Sequence, residues 1–99
     1  MEFADVPTFG LHWKGKYIQN NVGSTGRRDN AGRMMSLPKG SIGYVSAATA
    51  GTILVVFGQD LRRPPEPTSA VHTVSDRRYQ FVCTFGLDDW TRLDLRLSK

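Results

Sequence analysis

Between Ile42 and Phe57 the chain carries two segments that only a β-sheet accommodates. In Ile42-Gly-Tyr-Val-Ser-Ala47, the residues Ile42, Tyr44 and Ser46 alternate with Gly43, Val45 and Ala47, the period of a strand. Ile53-Leu-Val-Val-Phe57 is rich in β-branched residues and apolar on both faces, as a central strand covered from both sides requires. Ala48 to Thr52, with Gly51, supplies the turn between them. A glycine at position 43, inside a strand, allows a close neighbouring backbone or a sharp coil. The pattern predicts an all-β fold, a small and strongly bent barrel. At 99 residues the chain makes one domain with a modest core.

The remaining segments arrange themselves around this pair. Residues 1–12, with Pro7 and Gly10, read as an irregular N-terminal arm. Trp13 to Gln19 alternates loosely and forms a weak first strand, with Gly15 as a bulge or bend. Residues 20–33 are nearly all turn formers and predict a long basic loop. Met34 and Met35 lead into a turn at Leu37-Pro-Lys-Gly40.

Residues 58–70 form a Pro-rich insert. The prolines of Pro64-Pro-Glu-Pro67 lack backbone donors, so an extended, polyproline-like path is expected. Such a segment acts either as a stiff spacer or as a recognition segment for aromatic grooves. Val71 to Val74 suits a short edge strand. Tyr79 to Phe85 puts Tyr79, Phe81, Cys83 and Phe85 on one face of a strand. Leu87 to Trp90 reads as one helical turn, with Asp88 and Asp89 near its positive end. Leu93 to Leu97 alternates and predicts a closing strand. The expected total is five to six strands and two long loops.

Charge is concentrated in the irregular segments. The formal net charge is +4. Residues 20–39 hold Arg27, Arg28, Arg33 and Lys39 against Asp29 alone, and residues 61–78 hold Arg62, Arg63, Arg77 and Arg78 against Glu66 and Asp76. These side chains are candidate contacts for phosphates or for an acidic protein face. Tyr44 and Tyr79, if turned outward beside the basic loops, would add a stacking platform or an interface anchor.

Other chemistry finds little support in the residues. His12, His72 and Cys83 are unpaired in sequence, whereas a structural zinc site draws four ligands in close pairs. No metal or other cofactor is expected. Cys83 is expected as a buried, inert thiol. Adjacent Asp88 and Asp89 diverge by about 100° on a helix and do not share a site, so they cap the turn. Gly23-Ser-Thr-Gly-Arg-Arg28 lacks the strand-then-helix frame that aims amides at a phosphate. A single cysteine excludes an internal disulfide and fits a cytoplasmic home. No apolar run reaches the roughly 18 residues of a membrane span.

Residues 34–57 resemble the central hairpin of small SH3-like barrels, such as KOW-type modules and the barrel subunits attached to larger enzymes. The likeness rests on Leu37-Pro-Lys-Gly-x-x-Gly43-x-Val45, a small-residue turn, and an apolar strand ending at Phe57. A helical turn followed by a last alternating strand, here Leu87 to Leu97, also suits such barrels. The 20–33 loop and the 58–70 insert depart from the pattern. The resemblance implies a non-catalytic binding module. The expected function is an accessory or inhibitory protein that docks on a larger protein partner. The alternative is a nucleic-acid-binding protein whose loop arginines neutralise phosphates.

Overall fold

The apolar run Ile53–Phe57 occupies the position its two greasy faces demand. In the computed structural model, which describes residues 9–68 and 78–98, it forms most of β5 (Thr52–Gly58), paired on one side with β4 (Ile42–Ala48) and on the other with β6 (Tyr79–Gly86). Val55, Val56 and Phe57 are all buried. Beyond β4 come β1 (Tyr17–Gln19) and β7 (Arg96–Leu97), giving an antiparallel sheet of order β6-β5-β4-β1-β7. A separate hairpin pairs β2 (Ser24–Arg28) with β3 (Met34–Leu37). Helix α1 (Leu87–Leu93) follows β6.

The all-β class therefore holds, while no ladder joins β6 to β7 among the described residues, so strand pairing does not close a barrel. The core lies between one face of the five-stranded sheet and a cover made of the hairpin, α1 and a 3-10 turn at Phe9–Trp13. Met35 and Leu37 enter it from the hairpin, and Trp90 and Leu93 from the helix. Trp13 and Trp90 pack with ring centroids 5.8 Å apart. Burial of such aromatic surface dominates the energetics of a small core. Among the described residues, no helix is long and apolar enough to cross a membrane.

Several expectations are corrected. The predicted 20–33 loop contains β2 and the hairpin turn. Asp29, Asn30, Ala31 and Gly32 reverse the chain: Gly32 sits at φ +80°, and the buried Asp29 carboxylate accepts hydrogen bonds from the amides of Ala31 and Arg33. This is turn chemistry that Asp and Gly favour. Trp13 ends the 3-10 turn rather than starting a strand, and the chain reverses through Gly15 at φ +82° before β1 begins at Tyr17.

Two bulges re-aim side chains. Val45 pairs with Val55 but Ala47 with Leu54, so Ser46 is the extra residue and turns inward. Phe57 pairs with Phe81 but Gly58 with Tyr79, so Gln80 is extra. Tyr79 therefore leaves the face of Phe81, Cys83 and Phe85 and joins Val56 and Val82 on the other side of the sheet.

The predicted strand from Leu93 is shortened. Trp90 and Leu93, three residues apart on one helical face, both bury, which draws Leu93 into α1. The helix stops at Asp94, in the left-handed region at φ +49°, with the amide of Leu95 donating to the Trp90 carbonyl at 3.1 Å. The room at Gly43 is used by side chains rather than by a backbone. A Cβ there would overlap Val55 Cγ1 and stand 2.9 Å from Phe57 Cε1. The expected edge strand at Val71–Val74 and most of the N-terminal arm lie outside the described residues.

Candidate functional site

Strand β6 is an edge of the sheet, and its carbonyls at alternate positions point away from β5. The hairpin supplies donors to three of them. Arg33 Nη2 donates to Gln80 O at 2.9 Å, the amide of Asn30 to Val82 O at 2.8 Å, and Arg27 Nη2 to Thr84 O at 3.1 Å. Asn30 Nδ2 also donates to Thr84 Oγ1 at 3.0 Å. An unpaired edge invites another chain to add a strand. Here two guanidinium groups and one amide cover it.

Each guanidinium is held in place by a carboxylate and an aromatic ring. Arg27 makes a two-pronged contact with Asp89, at 2.5 Å and 3.1 Å, and lies 4.7 Å from the centroid of Phe85. Arg33 Nε donates to the buried Asp29 carboxylate at 3.0 Å, with its guanidinium 5.9 Å from the Phe81 centroid. Planar, forked donors suit such sites. Asp89 also accepts from the Gly86 amide at 3.0 Å, bracing the start of α1. Burial works against the Asp89 charge, but Arg27 and the Gly86 amide outweigh it, and its pKa lies below the ordinary carboxylate value. Asp89, expected only to cap a turn, thus ties together the helix, the hairpin and β6.

The other basic side chains do not join these two. Arg28 donates to Gly32 O at 2.6 Å within the hairpin turn. Lys39 is exposed in the turn before β4. Arg62 and Arg63 are exposed just after β5, where Arg63 pairs with Asp60 at 3.2 Å. Arg78 lies 5.3 Å from the Tyr79 centroid and 3.8 Å from the Glu66 carboxylate. Arg77 lies outside the described residues.

On the face of the sheet away from the core, three tyrosines gather. Tyr17 on β1 stands directly across from Tyr44 on β4, edge to face, with ring centroids 5.1 Å apart. Tyr44 packs on the patch of Val56, Val82 and the re-aimed Tyr79. The Pro-rich insert lies over this shelf. Tyr17 Oη donates to Pro65 O at 2.7 Å, and Tyr79 Oη donates to Glu66 O at 2.8 Å. Pro65 is buried, with its ring carbon 3.5 Å from where a Cβ on Gly58 would stand. Residues 64–68 adopt neither helix nor strand. Burial, then the neighbouring Tyr44 and Tyr79, raise the Tyr17 pKa. Its phenol stays protonated and able to donate throughout the neutral range.

Of the predicted site residues, Tyr79 and Arg78 meet at Glu66, with Tyr44 packed on the same patch as Tyr79, and Arg27 and Arg33 come together on β6. Sequence reasoning missed Tyr17 and Asn30, and its strand alternation put Tyr79 on the core face that the bulge at Gln80 takes it from. The Asp29-Asn-Ala-Gly32 turn was the signal for the hairpin that carries Asn30. Cys83 is buried against Met35, its thiol pushed up to about 12 chiefly by burial. His12 lies on the exposed part of the 3-10 turn, and His72 lies outside the described residues. Comparison with family models, with characterised proteins and with solved structures gives no match to this chain.

Proposed function

We propose that the chain is a non-catalytic binding module that docks on a larger protein. The observation that carries this reading is how Arg27 and Arg33 are used. Both belong to the arginine set on which phosphate binding would depend. Both spend their guanidinium groups on Asp89 and Asp29, on carbonyls of β6 and on aromatic faces within the chain. Arg63 and Arg78 also have acidic neighbours. These carboxylates offset the guanidinium charges at short range and leave them less available to a phosphate backbone, while the formal net charge stays +4. The likeness of residues 34–57 to SH3-like hairpins also supports a binding role, though a fold-level analogy is a lesser warrant.

Two measurements test it. Titration with duplex and single-stranded DNA and RNA across a salt series should give only weak association. Saturable binding with a log–log salt slope near about −6, as seven phosphate contacts on duplex DNA would give, would establish the nucleic-acid reading instead. Purification from the native host, repeated after nuclease digestion, should retain a stoichiometric protein partner. Capture that disappears with the nuclease overturns the proposal.

A further inference from the structure

We propose that the tyrosine shelf is a recognition site for a proline-rich peptide of a partner protein, and that Pro64–Pro67 of this chain occupies it as a built-in competitor. The inference rests on the protein-binding reading above and names the chemistry of the partner.

A proline-rich chain has few amide donors and makes no internal hydrogen bonds in the polyproline conformation. It can be recognised only through ring burial and its carbonyl oxygens. A tyrosine offers both a flat apolar surface and one donor. Here Tyr17 and Tyr79 present hydroxyls to the carbonyls of two consecutive residues, Pro65 and Glu66, while the Pro65 ring is buried over Gly58. Arg78 lies beside the Glu66 carboxylate, 3.8 Å away. The shelf therefore reads a proline followed by an acid.

The pairing of β5 with β6 does not require the insert to be the occupant. Gly58 and Tyr79 are direct partners on adjacent antiparallel strands, a connection that about two to five residues normally complete. This chain spends residues 59–78 on it. Lifting Pro64–Pro67 off the shelf leaves β5 and β6 paired from Thr52 to Gly58. Tethered at both ends, the insert competes at an effective concentration on the order of millimolar. A partner peptide binds tightly only when it offers more contacts or when the insert is drawn away.

The test uses a fluorescent synthetic peptide with the sequence of residues 62–68, titrated against the full chain and two variants. In the first, Pro64→Ser, Pro65→Gly, Glu66→Ser and Pro67→Gly together release the shelf. In the second, Tyr17→Phe and Tyr79→Phe are added. The released variant should bind the peptide at least about tenfold more tightly than the unaltered chain, since the internal competitor is gone. The added phenylalanines should remove at least about tenfold of that affinity, since each leaves a carbonyl without its donor.

If the fourfold replacement does not fold, Pro65→Gly alone is read in the same way. No saturable binding by a folded, released variant overturns the proposal, as does binding indifferent to the tyrosine hydroxyls. A dimer that places one copy's Pro64–Pro67 on the shelf of another, with no affinity for added peptide, also overturns it. Failure of the peptide test leaves the nuclease-resistant partner to be judged on its own result, so the two readings fail separately.

Discussion

Arg27 on β2 and Asp89 on α1 are 62 residues apart in sequence and meet in a two-pronged ion pair, with Arg27 reaching on to Thr84 O. One side chain thus fastens the hairpin to both the helix and the edge of the sheet. Arg27→Met and Asp89→Asn, singly and together, should show a coupling of about 1 kcal/mol in denaturant unfolding, a figure kept low because both side chains retain some solvent exposure. Strict additivity would show that the hairpin is held by other contacts.

The same pair should make stability depend on acid. The pKa of Asp89 in the folded chain is depressed, so its contribution is complete above the unfolded value near about 4. That contribution is lost as pH falls through the lower, folded value. Melting temperatures across that range should fall more gently for Asp89→Asn than for the unaltered chain. Parallel curves would remove Asp89 from the account.

Gly43 and Phe57 face each other across β4 and β5, and the phenylalanine ring fills the space the glycine leaves. Gly43→Ala should destabilise by about 1–3 kcal/mol through overpacking. Phe57→Ala should cost about 3–5 kcal/mol through loss of a buried aromatic. Urea unfolding measures both, and a change below about 1 kcal/mol at Phe57 would contradict its place in the core.

Cys83 should resist alkylation. It is buried beneath the hairpin with Met35 Sδ at 3.1 Å, and its pKa is pushed up to about 12, so little thiolate forms at neutral pH. Iodoacetamide should modify it only after the chain is denatured. Rapid labelling of the folded protein would mean that the hairpin opens readily.

The strands easiest to read in the sequence were those whose burial matches a period of two residues. Val55 and Val56 announce a central strand because they make both faces apolar, and Phe81, Cys83 and Phe85 keep one face throughout. Strand β2 was illegible. Ser24-Thr-Gly-Arg-Arg28 contains no apolar residue, and its cover for the core is guanidinium laid on phenylalanine. Tyr79 was misplaced because the bulge at Gln80 leaves no mark in the alternation. The turn at Asp29–Gly32 was legible as a turn, but not as the hinge of a hairpin, since its partner strands carried no matching pattern.

Local order came from the sequence alone: the all-β class, the β4–β5 hairpin, the helical turn after β6 and the lack of helix or strand at Pro64–Pro67 follow from side-chain period, turn chemistry and missing amide donors, which are properties of neighbours along the chain. Tertiary structure decided what the polar groups do. Arg27 and Arg33 turn inward because folding delivers Asp89, Asp29 and the open carbonyls of β6 to their reach. Tyr17 and Tyr79 become a pair of donors only when four strands and a bulge set them on one face. Charge and hydroxyl chemistry act at a few ångströms, and which groups come that close is a matter of the fold rather than of sequence order.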